Sequence, residues 1–447
     1  MQKKPLRVAF HNLGCKVNSY ETEAMLEKML RQGYVSVPFE EEADIYVVNT
    51  CSVTNIADRK SRQMLHRAKA MNPDAVVAAV GCYAQAAGEA LLRDKAVDIV
   101  IGNDRKSELP FWIEKFLEER EKTAALCDIG ASRSCEELDS TGAAADRTRA
   151  YLKIEDGCNQ FCTYCLIPHI RGRVRSRRPE EIIREAEGLT ASGFKELVLT
   201  GIHVSSYGID FPGDAAASGY YGKPLLELLA ALDAVPGLER LRLSSLEPRV
   251  ITRESAAFMA SLRHLCPHFH LSLQSGSDPV LKRMGRRYTA EEFYEEMLAL
   301  REAFGSPALT TDVIVGFPGE TEEYFEETLR FLEKACFYET HVFRYSRRKG
   351  TAADRMPDQI PEPVKAERSS RLLALNRKNK AAFETNLLGK SRSVLLEQPA
   401  GDGLWTGFTP EYVRLTVPAP DGASGMLRDV VVTEAMLPDK TGKEVKE

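Results

Sequence analysis

Two stretches of alternating strand and helix signals constrain the fold of this chain more than any other feature. The first stretch contains short apolar segments separated by amphipathic ones, at 6–10, 45–48, 76–80 and 98–101. The second stretch contains further apolar segments of this kind, at 151–155, 196–200, 238–244, 269–273, 311–315 and 341–345. Strands that alternate with helices form a parallel sheet covered by those helices. The sequence therefore predicts an α/β fold, with an N-terminal parallel-sheet domain and a central partial (β/α)6 barrel.

The length of 447 residues is typical of about three domains. We expect an N-terminal domain at 1–117, a polar linker without periodicity at 118–146, the barrel at 147–376, and a small all-β domain with a preceding basic helix at 377–447. No apolar run approaches the roughly 18 residues that cross a bilayer, and no signal-peptide core opens the sequence. We therefore expect a cytoplasmic protein with no membrane partner.

Three of the ten cysteines form a tight cluster just after the first barrel strand. Cys158, Cys162 and Cys165 have the spacing C-x3-C-x2-C. Thiolates so close in one loop can converge on an iron–sulfur cube, and three ligands leave one iron open to a small molecule. On spacing alone, a zinc site completed by His169 is the alternative.

Three other cysteines each follow a predicted strand at its turn into a helix, namely Cys15, Cys51 and Cys82. Any one of them alone is more typical of a small buried residue. Because the carboxyl ends of parallel strands meet at one edge of a sheet, we expect the three thiols to become neighbours and to hold a second cluster. The other cysteines lack this pattern, and we interpret them as structural, at Cys127, Cys135, Cys266 and Cys336.

Two basic segments stand out against a formal net charge of −5. Five arginines occupy residues 171–178, and residues 363–393 contain eight Lys and Arg against two Asp and Glu. Such patches can neutralise nucleic-acid phosphates, although the second is equally typical of a solvated helix face.

Taken together, these motifs resemble the radical SAM methylthiotransferases, which use S-adenosylmethionine (SAM). The resemblance is carried by NLGCKVN, NTCSVTNIADRKSRQ, VGCYAQ and GCNQFCTYCLIPHIRGRVRSR, and it extends from about residue 5 to residue 390. It implies two 4Fe–4S clusters. Cys158, Cys162 and Cys165 would hold the one that cleaves SAM, while Cys15, Cys51 and Cys82 would hold an auxiliary one that receives or delivers sulfur. The C-terminal domain loosely resembles the RNA-binding TRAM fold.

Glycines at two further strand ends fit SAM binding in this scheme. Gly201 and Gly316 stand where the backbone must approach a ligand closely, and the alternative is that Gly316 only shapes a turn. Gly285 departs from the family pattern, in which we expect Asn at that position.

The resemblance also narrows the substrate. Family members methylthiolate isopentenyladenosine in tRNA, threonylcarbamoyladenosine in tRNA, or an aspartate of a ribosomal protein. The motifs GCKVN, NTCSVTN and GCYAQ are most similar to the threonylcarbamoyladenosine branch, and Lys16 and Val17 depart from the GCQMN and GCPKN of the others. We therefore expect a tRNA partner, a reducing electron donor and an unidentified sulfur donor. Alternatives are the other two substrates, a non-catalytic iron–sulfur RNA-binding protein and a structural zinc protein.

In the tRNA hypothesis, the arginines at 171–178 would steer phosphates towards the barrel mouth. We then expect Arg173→Glu together with Arg175→Glu to weaken tRNA binding in a salt-dependent way.

Overall fold

The computed structural model describes residues 5–138, 140–142, 148–212 and 222–438. The expected domain boundary between residues 146 and 147 lies outside these ranges. No helix within them combines the length and the apolarity that a membrane span requires.

The N-terminal domain is a six-stranded parallel sheet with helices on both faces. Its strands follow the order β2-β1-β3-β4-β5-β6 across the sheet, with β1 (Arg7–Asn12), β2 (Val35–Ser36), β3 (Ile45–Thr50), β4 (Val76–Gly81), β5 (Ile99–Ile101) and β6 (Thr123–Ala125). The helices are α1 (Lys16–Arg31), α2 (Asn55–Met71), α3 (Cys82–Ala87) and α4 (Leu109–Glu119). Every residue of β3 and β4 is buried, as expected for central parallel strands covered on both faces.

The sheet extends into the segment that we expected to be a linker. Strand β6 lies within 118–146 and pairs in parallel with β5. Further along, the hydroxyls of Ser140 and Thr141 donate to the Glu27 carboxylate of α1 at 3.0 and 2.9 Å. The described parts of this segment therefore pack on the N-terminal domain, through backbone pairing and hydrogen bonds that composition does not reveal.

The central domain confirms the predicted partial barrel of six parallel strands. These are β7 (Arg149–Lys153), β10 (Glu196–Thr200), β11 (Arg240–Leu243), β12 (His268–Gln274), β13 (Ala308–Val315) and β14 (Glu339–Arg344). A short antiparallel pair, β8 (Glu155–Asp156) and β9 (Arg175–Ser176), brackets the C-x3-C-x2-C loop. The helices of this domain are α5 (Ile167–Ile170), α6 (Pro179–Ala191), α7 (Lys223–Asp233), α8 (Arg253–Ser261), α9 (Asp278–Met284), α10 (Ala290–Phe304) and α11 (Glu322–Ala335).

Side chains alternate between the helices and the barrel lumen along each strand. In β12, Phe269, Leu271 and Leu273 belong to the core beneath the helices. His268 and His270 have the opposite parity and therefore face the lumen. Helix α1 of the N-terminal domain lies against edge strand β7, so it covers the open side of the partial barrel.

The last domain confirms the predicted all-β module, preceded by helix α12 (Glu362–Thr385). Its antiparallel strands follow the order β17-β16-β15-β18, with β15 (Ser391–Gly401), β16 (Leu404–Phe408), β17 (Arg414–Pro418) and β18 (Leu427–Val431). The module docks at the amino ends of the barrel strands, where Arg240 and Arg242 donate to the carbonyls of Phe408 and Pro410 at 2.8 and 3.0 Å. It therefore closes the end of the barrel opposite to the cysteine loop.

Candidate active site

The structure brings Cys15, Cys51 and Cys82 together at one edge of the N-terminal sheet. Each follows one of three adjacent strands, β1, β3 and β4. The Cys51 thiol interacts electrostatically with the other two. This arrangement follows directly from the topology, because parallel neighbours end at the same edge.

Small and polar residues hold these turns in contact. Gly14 has a φ of +112°, and a Cβ at this position would lie 3.1 Å from the Cys51 sulfur. Asn18 donates to the carbonyls of Leu13 and Thr50 at 2.7 and 3.1 Å, so one amide ties two cysteine turns together. The approach of the first two cysteines thus depends on a glycine conformation and on one side-chain amide.

Backbone hydrogen bonds clamp the second cysteine group, Cys158, Cys162 and Cys165, against the barrel. The amide of Cys158 donates to the carbonyl of Gly172 at 3.0 Å, and the amide of Thr163 donates to that of Met284 at 2.9 Å. The Cys158 thiol interacts electrostatically with Cys162 and Cys165. The three thiols therefore share one loop at the carboxyl end of β7, where catalytic groups of such barrels lie.

Each cysteine group receives an N–H from a buried arginine. Arg171 Nε donates to Cys82 Sγ at 3.3 Å, and Arg286 Nη1 donates to Cys162 Sγ at 3.4 Å. Hydrogen bonds and positive charge at sulfur stabilise thiolates and tune iron–sulfur centres. The sequence analysis missed both roles. Arg171 was assigned to RNA, and Arg286 carries no local signal.

The thiols have raised pKa values in the absence of a cation. Burial raises the pKa of Cys158 and of Cys165 to about 12, and neighbouring thiols of the same group add to both shifts. Burial likewise raises the pKa of Cys51 to about 11. A bound metal reverses this balance because it stabilises the thiolate, so the donor set fits a metal centre.

The spacing of the sulfurs does not match a single zinc ion. In the described part of the chain, one group of three His, Cys, Asp or Glu side chains has all its ligand atoms within 4.8 Å, and it contains no cysteine. Zn–S bonds of about 2.3 Å would hold tetrahedral sulfurs roughly 3.8 Å apart. His169, the fourth ligand in the zinc alternative, is exposed and packs edge-on against Phe161. The wider spacing fits a cube better than one ion.

A single cavity of about 250 Å3 lies between the two domains. Ser52, Val53 and Thr54, which follow Cys51, form one wall of this cavity. Cys165 and its neighbours form another, and residues of β12, β13 and β14 complete the lining. Both cysteine groups therefore border the space in which a substrate can bind.

Comparisons with known proteins agree with this geometry. Residues 152–332 match the radical SAM superfamily, and residues 7–102 match the uncharacterized protein family UPF0004. The threonylcarbamoyladenosine tRNA methylthiotransferase MtaB of Bacillus subtilis is 42% identical over 98% of this chain and 96% of its own length. The chain belongs to the radical SAM methylthiotransferases.

Two further relatives have different substrates in their names. The MtaB of Aquifex aeolicus is 41% identical over 88% of this chain and 93% of its own length. The tRNA-2-methylthio-N(6)-dimethylallyladenosine synthase of Desulfitobacterium hafniense is 34% identical over 97% and 96%. The radical SAM methyltransferase TsrM of Kitasatospora setae, solved with cobalamin and a [4Fe-4S] cluster, shares the fold, with a TM-score of 0.56 at 16% identity over 78% of this chain and 77% of its own.

The cofactors of this methylthiotransferase are two 4Fe–4S clusters and SAM. The chain offers two groups of three thiols, and each has a guanidinium N–H at one sulfur. With three protein ligands per group, each cube would keep one iron free for another ligand. The residues present therefore fit the cofactors.

The arginine run at 171–178 is not the phosphate-binding surface that we expected. Arg171, Arg175 and Arg177 are buried, with exposed fractions of 0%, 1% and 3%. Their partners lie inside the protein; for example, Arg177 donates to the Lys153 carbonyl at 2.8 Å and to Glu185 at 2.6 Å. The proposed role of Arg175 in tRNA binding is therefore wrong, and Arg175→Glu would bury an extra carboxylate.

The surface-exposed basic groups are fewer than the sequence indicated. Within the run, Arg173 and Arg178 are exposed, and Arg173 lies over the Phe161 ring at 4.5 Å. In the basic helix α12, Arg368 is buried against Glu320 at 3.2 Å. Much of the second patch likewise serves packing, with further ion pairs at Lys365, Arg371 and Lys380.

The three glycines of interest contact protein atoms. A Cβ at Gly201 would lie 2.2 Å from Glu155 Oε1, and one at Gly316 would lie 2.3 Å from Lys365 Cγ. Gly285 has a φ of +78° beside the Cys162 loop, a conformation that glycine and asparagine adopt most readily. The exchange of Asn for Gly therefore preserves the local backbone.

The group of ligand atoms within 4.8 Å is His270, Asp312 and His341, on the lumen side of β12, β13 and β14. His270 uses both ring nitrogens, one with Asp312 at 3.2 Å and one with Thr310 at 2.9 Å. A metal ion would have to displace one of these partners, so the group is better suited to hydrogen bonding with substrate.

Proposed function

We propose that this methylthiotransferase adds a 2-methylthio group to N6-threonylcarbamoyladenosine beside the anticodon of tRNA, in the cytoplasm. One observation carries the proposal: two cysteine groups from separate domains border a single cavity. Such an arrangement suits a reaction that needs a radical source and a sulfur source at one carbon atom. The choice of threonylcarbamoyladenosine is supported by the names of the relatives from Bacillus subtilis and Aquifex aeolicus.

The six cysteines divide into two ligand sets in this proposal. Cys158, Cys162 and Cys165 hold the cluster that binds SAM, and the set from the N-terminal sheet holds the auxiliary cluster, Cys15, Cys51 and Cys82. When bound, the first cluster and SAM together supply a carbon radical that removes a hydrogen atom from the substrate. Gly201 and Gly316 remain predictions as SAM contacts, as do the electron donor and the sulfur donor.

The chain itself supplies positioning, charge and exclusion of water. Arg171 and Arg286 hold positive charge against one sulfur of each group. Val53 and Phe343 line the cavity and are 60% and 48% exposed, so an adenine ring can stack on the aromatic face. Tyr164 and Ile167 extend the apolar wall beside Cys165, which limits the access of water to a radical.

The proposal is tested on tRNA from cells with and without this gene. We expect 2-methylthio-N6-threonylcarbamoyladenosine, measured by liquid chromatography and mass spectrometry, to disappear in the deletion strain. Wild type should restore it and Cys158→Ala should not. Cys266→Ala is the matched control, because this buried cysteine belongs to neither group.

Purified protein with both clusters, tRNA and SAM provides the direct assay. A methylthio group on isopentenyladenosine instead of threonylcarbamoyladenosine would replace the substrate in this proposal. Absence of product on either tRNA, with clusters intact, would contradict a tRNA function and make the ribosomal protein the next substrate to test.

A further inference from the structure

Lys16 extends from the N-terminal domain into the barrel. It directly follows the first cysteine of the N-terminal group and is the first residue of α1, which covers the open side of the barrel. The helix is anchored there by Glu21, which accepts from Lys153 of β7 at 2.8 Å. The Lys16 ammonium interacts electrostatically with Arg149 of β7 and Arg242 of β11. Lys16 is therefore directed into the lumen, beside the auxiliary cysteine group.

The part of the lumen near Lys16 carries an excess of positive charge. Its carboxylate, Glu196, already has three arginine partners within 4 Å, namely Arg242 at 2.9 Å, Arg240 at 3.5 Å and Arg149 at 3.8 Å. One of these arginines also pairs with Glu397 of the C-terminal domain. Four cations, with Lys16 among them, thus face two carboxylates, so Glu196 is not available as a counter-ion for Lys16.

The Lys16 ammonium lacks a counter-ion of its own. Within the described ranges it has no hydrogen-bond or salt-bridge partner, and the residue is exposed to the solvent of the lumen. The nearby lumen carboxylate Asp312 is engaged with His270 at 3.2 Å. An unpaired cation beside guanidinium groups is electrostatically costly, and an anionic ligand would remove that cost.

We propose that Lys16 binds the carboxylate of the threonylcarbamoyl group and thereby selects this substrate over adenosines with a hydrocarbon at N6. This inference rests on the proposed function and names the residue that reads its substrate. A threonylcarbamoyl group ends in a carboxylate, to which an ammonium donates a strong charge-assisted hydrogen bond. An isopentenyl group has no polar atom, so its binding would leave the lysine unpaired. Because Lys16 adjoins Cys15, the contact also orients the adenosine towards the auxiliary group.

The test compares two anticodon stem-loops with the cluster-loaded enzyme. One carries threonylcarbamoyladenosine, and the other carries the same nucleoside with its carboxylate converted to a carboxamide. For wild type we expect kcat/KM for methylthiolation to be about 10- to 100-fold lower on the carboxamide, as for loss of a hydrogen bond to a charged group. Lys16→Gln should lower kcat/KM on the carboxylate by a similar factor and treat both RNAs alike.

Two controls separate recognition from damage to the neighbouring centre. Lys16→Arg keeps the charge and should retain most of the preference for the carboxylate. Iron content and SAM cleavage without RNA should be unchanged in Lys16→Gln, because the contact is made only with substrate. Isopentenyladenosine RNA should be turned over no less by Lys16→Gln than by wild type.

The outcomes distinguish this inference from the proposed function. Normal wild-type turnover, with Lys16→Gln still preferring the carboxylate by the wild-type factor, overturns the role of Lys16 alone. An equal loss on both RNAs also overturns it, since the lysine would then act on the cluster or the RNA backbone. Absence of wild-type turnover on every RNA overturns the proposed function and this inference with it.

Discussion

Arg171 joins the two iron–sulfur domains through a single guanidinium. Its Nη1 donates to Glu21 of α1 and to Asp156 of β8, both at 3.0 Å, and its Nε donates to Cys82 Sγ. Lys153 reinforces the same pair of carboxylates at 2.8 and 2.7 Å. A buried charge network of this kind fixes one relative position of the domains, because each charge loses its partner in any other.

Removal of this guanidinium should be costly. We expect Arg171→Ala to lower the free energy of unfolding by about 3–5 kcal/mol, because two buried carboxylates lose a partner. Chemical denaturation of the cluster-loaded protein measures the change. The control is Arg173→Ala, an exposed neighbour for which we expect about 1 kcal/mol or less. Equal losses in the two variants would show that the network contributes little.

Glu296 on α10 should make stability depend on pH. Burial, together with Glu247 and Glu292, raises the pKa of its carboxyl to about 8, and one of its oxygens is buried without a hydrogen-bond partner. The folded protein therefore keeps a proton that the unfolded chain releases near pH 4.5, so this contribution to stability declines as the pH rises from about 4.5 to 8.

Glu296→Gln removes this titration. Between pH 5 and pH 8, the variant should gain about 1 kcal/mol of unfolding free energy relative to wild type, measured by denaturation at both pH values. A constant difference between the two proteins across this range would mean that Glu296 is ionised in the fold.

At the scale of elements, the cysteine loop of the barrel depends on close backbone contact with the strand that follows it. Gly157 has a φ of +86°, and a Cβ there would lie 2.0 Å from the carbonyl oxygen of Arg173. The adjacent Cys158 amide donates to the carbonyl of Gly172. A side chain at Gly157 would therefore push the first cysteine of the loop away from β9.

We expect Gly157→Ala to lose most of the iron of the barrel site and to fall at least about 10-fold in SAM cleavage. Gly193→Ala is the matched control, since Gly193 also has a positive φ, +100°, but no atom within 4 Å of its Cβ position. It should cost only the backbone strain, about 1 kcal/mol, and retain full iron. Iron and sulfide analysis decides between them, and full iron in Gly157→Ala would refute the steric argument.

On the scale of the whole molecule, the active cavity exists because the N-terminal domain docks on the barrel mouth. Arg348, which follows β14, donates to the carbonyl and hydroxyl of Ser52 at 2.9 and 2.8 Å and to Asp58 at 2.8 Å. Ser52 adjoins Cys51, so this contact sets the position of the auxiliary cysteines relative to the barrel.

Arg348→Lys should uncouple the two half-sites. We expect SAM cleavage to persist while the methylthio product per 5′-deoxyadenosine falls about 10-fold, because lysine cannot make the forked contact. Arg347→Lys serves as the control, since Arg347 is paired with Asp354 of its own loop. The ratio of the two products measures coupling, and an unchanged ratio in Arg348→Lys would argue against this role.

The sequence by itself determined the elements and their ends. Periodicity and turn residues are local signals, so the alternating strands and helices, the partial barrel and the placement of six cysteines after strands could all be predicted. Partner choice could not. Arg171 and Glu21 are 150 positions apart, and Arg171 reads as a surface cation until the fold supplies its carboxylates. The tertiary structure likewise decided that Lys16 lacks a counter-ion, because a charge is paired or unpaired only through neighbours from other domains.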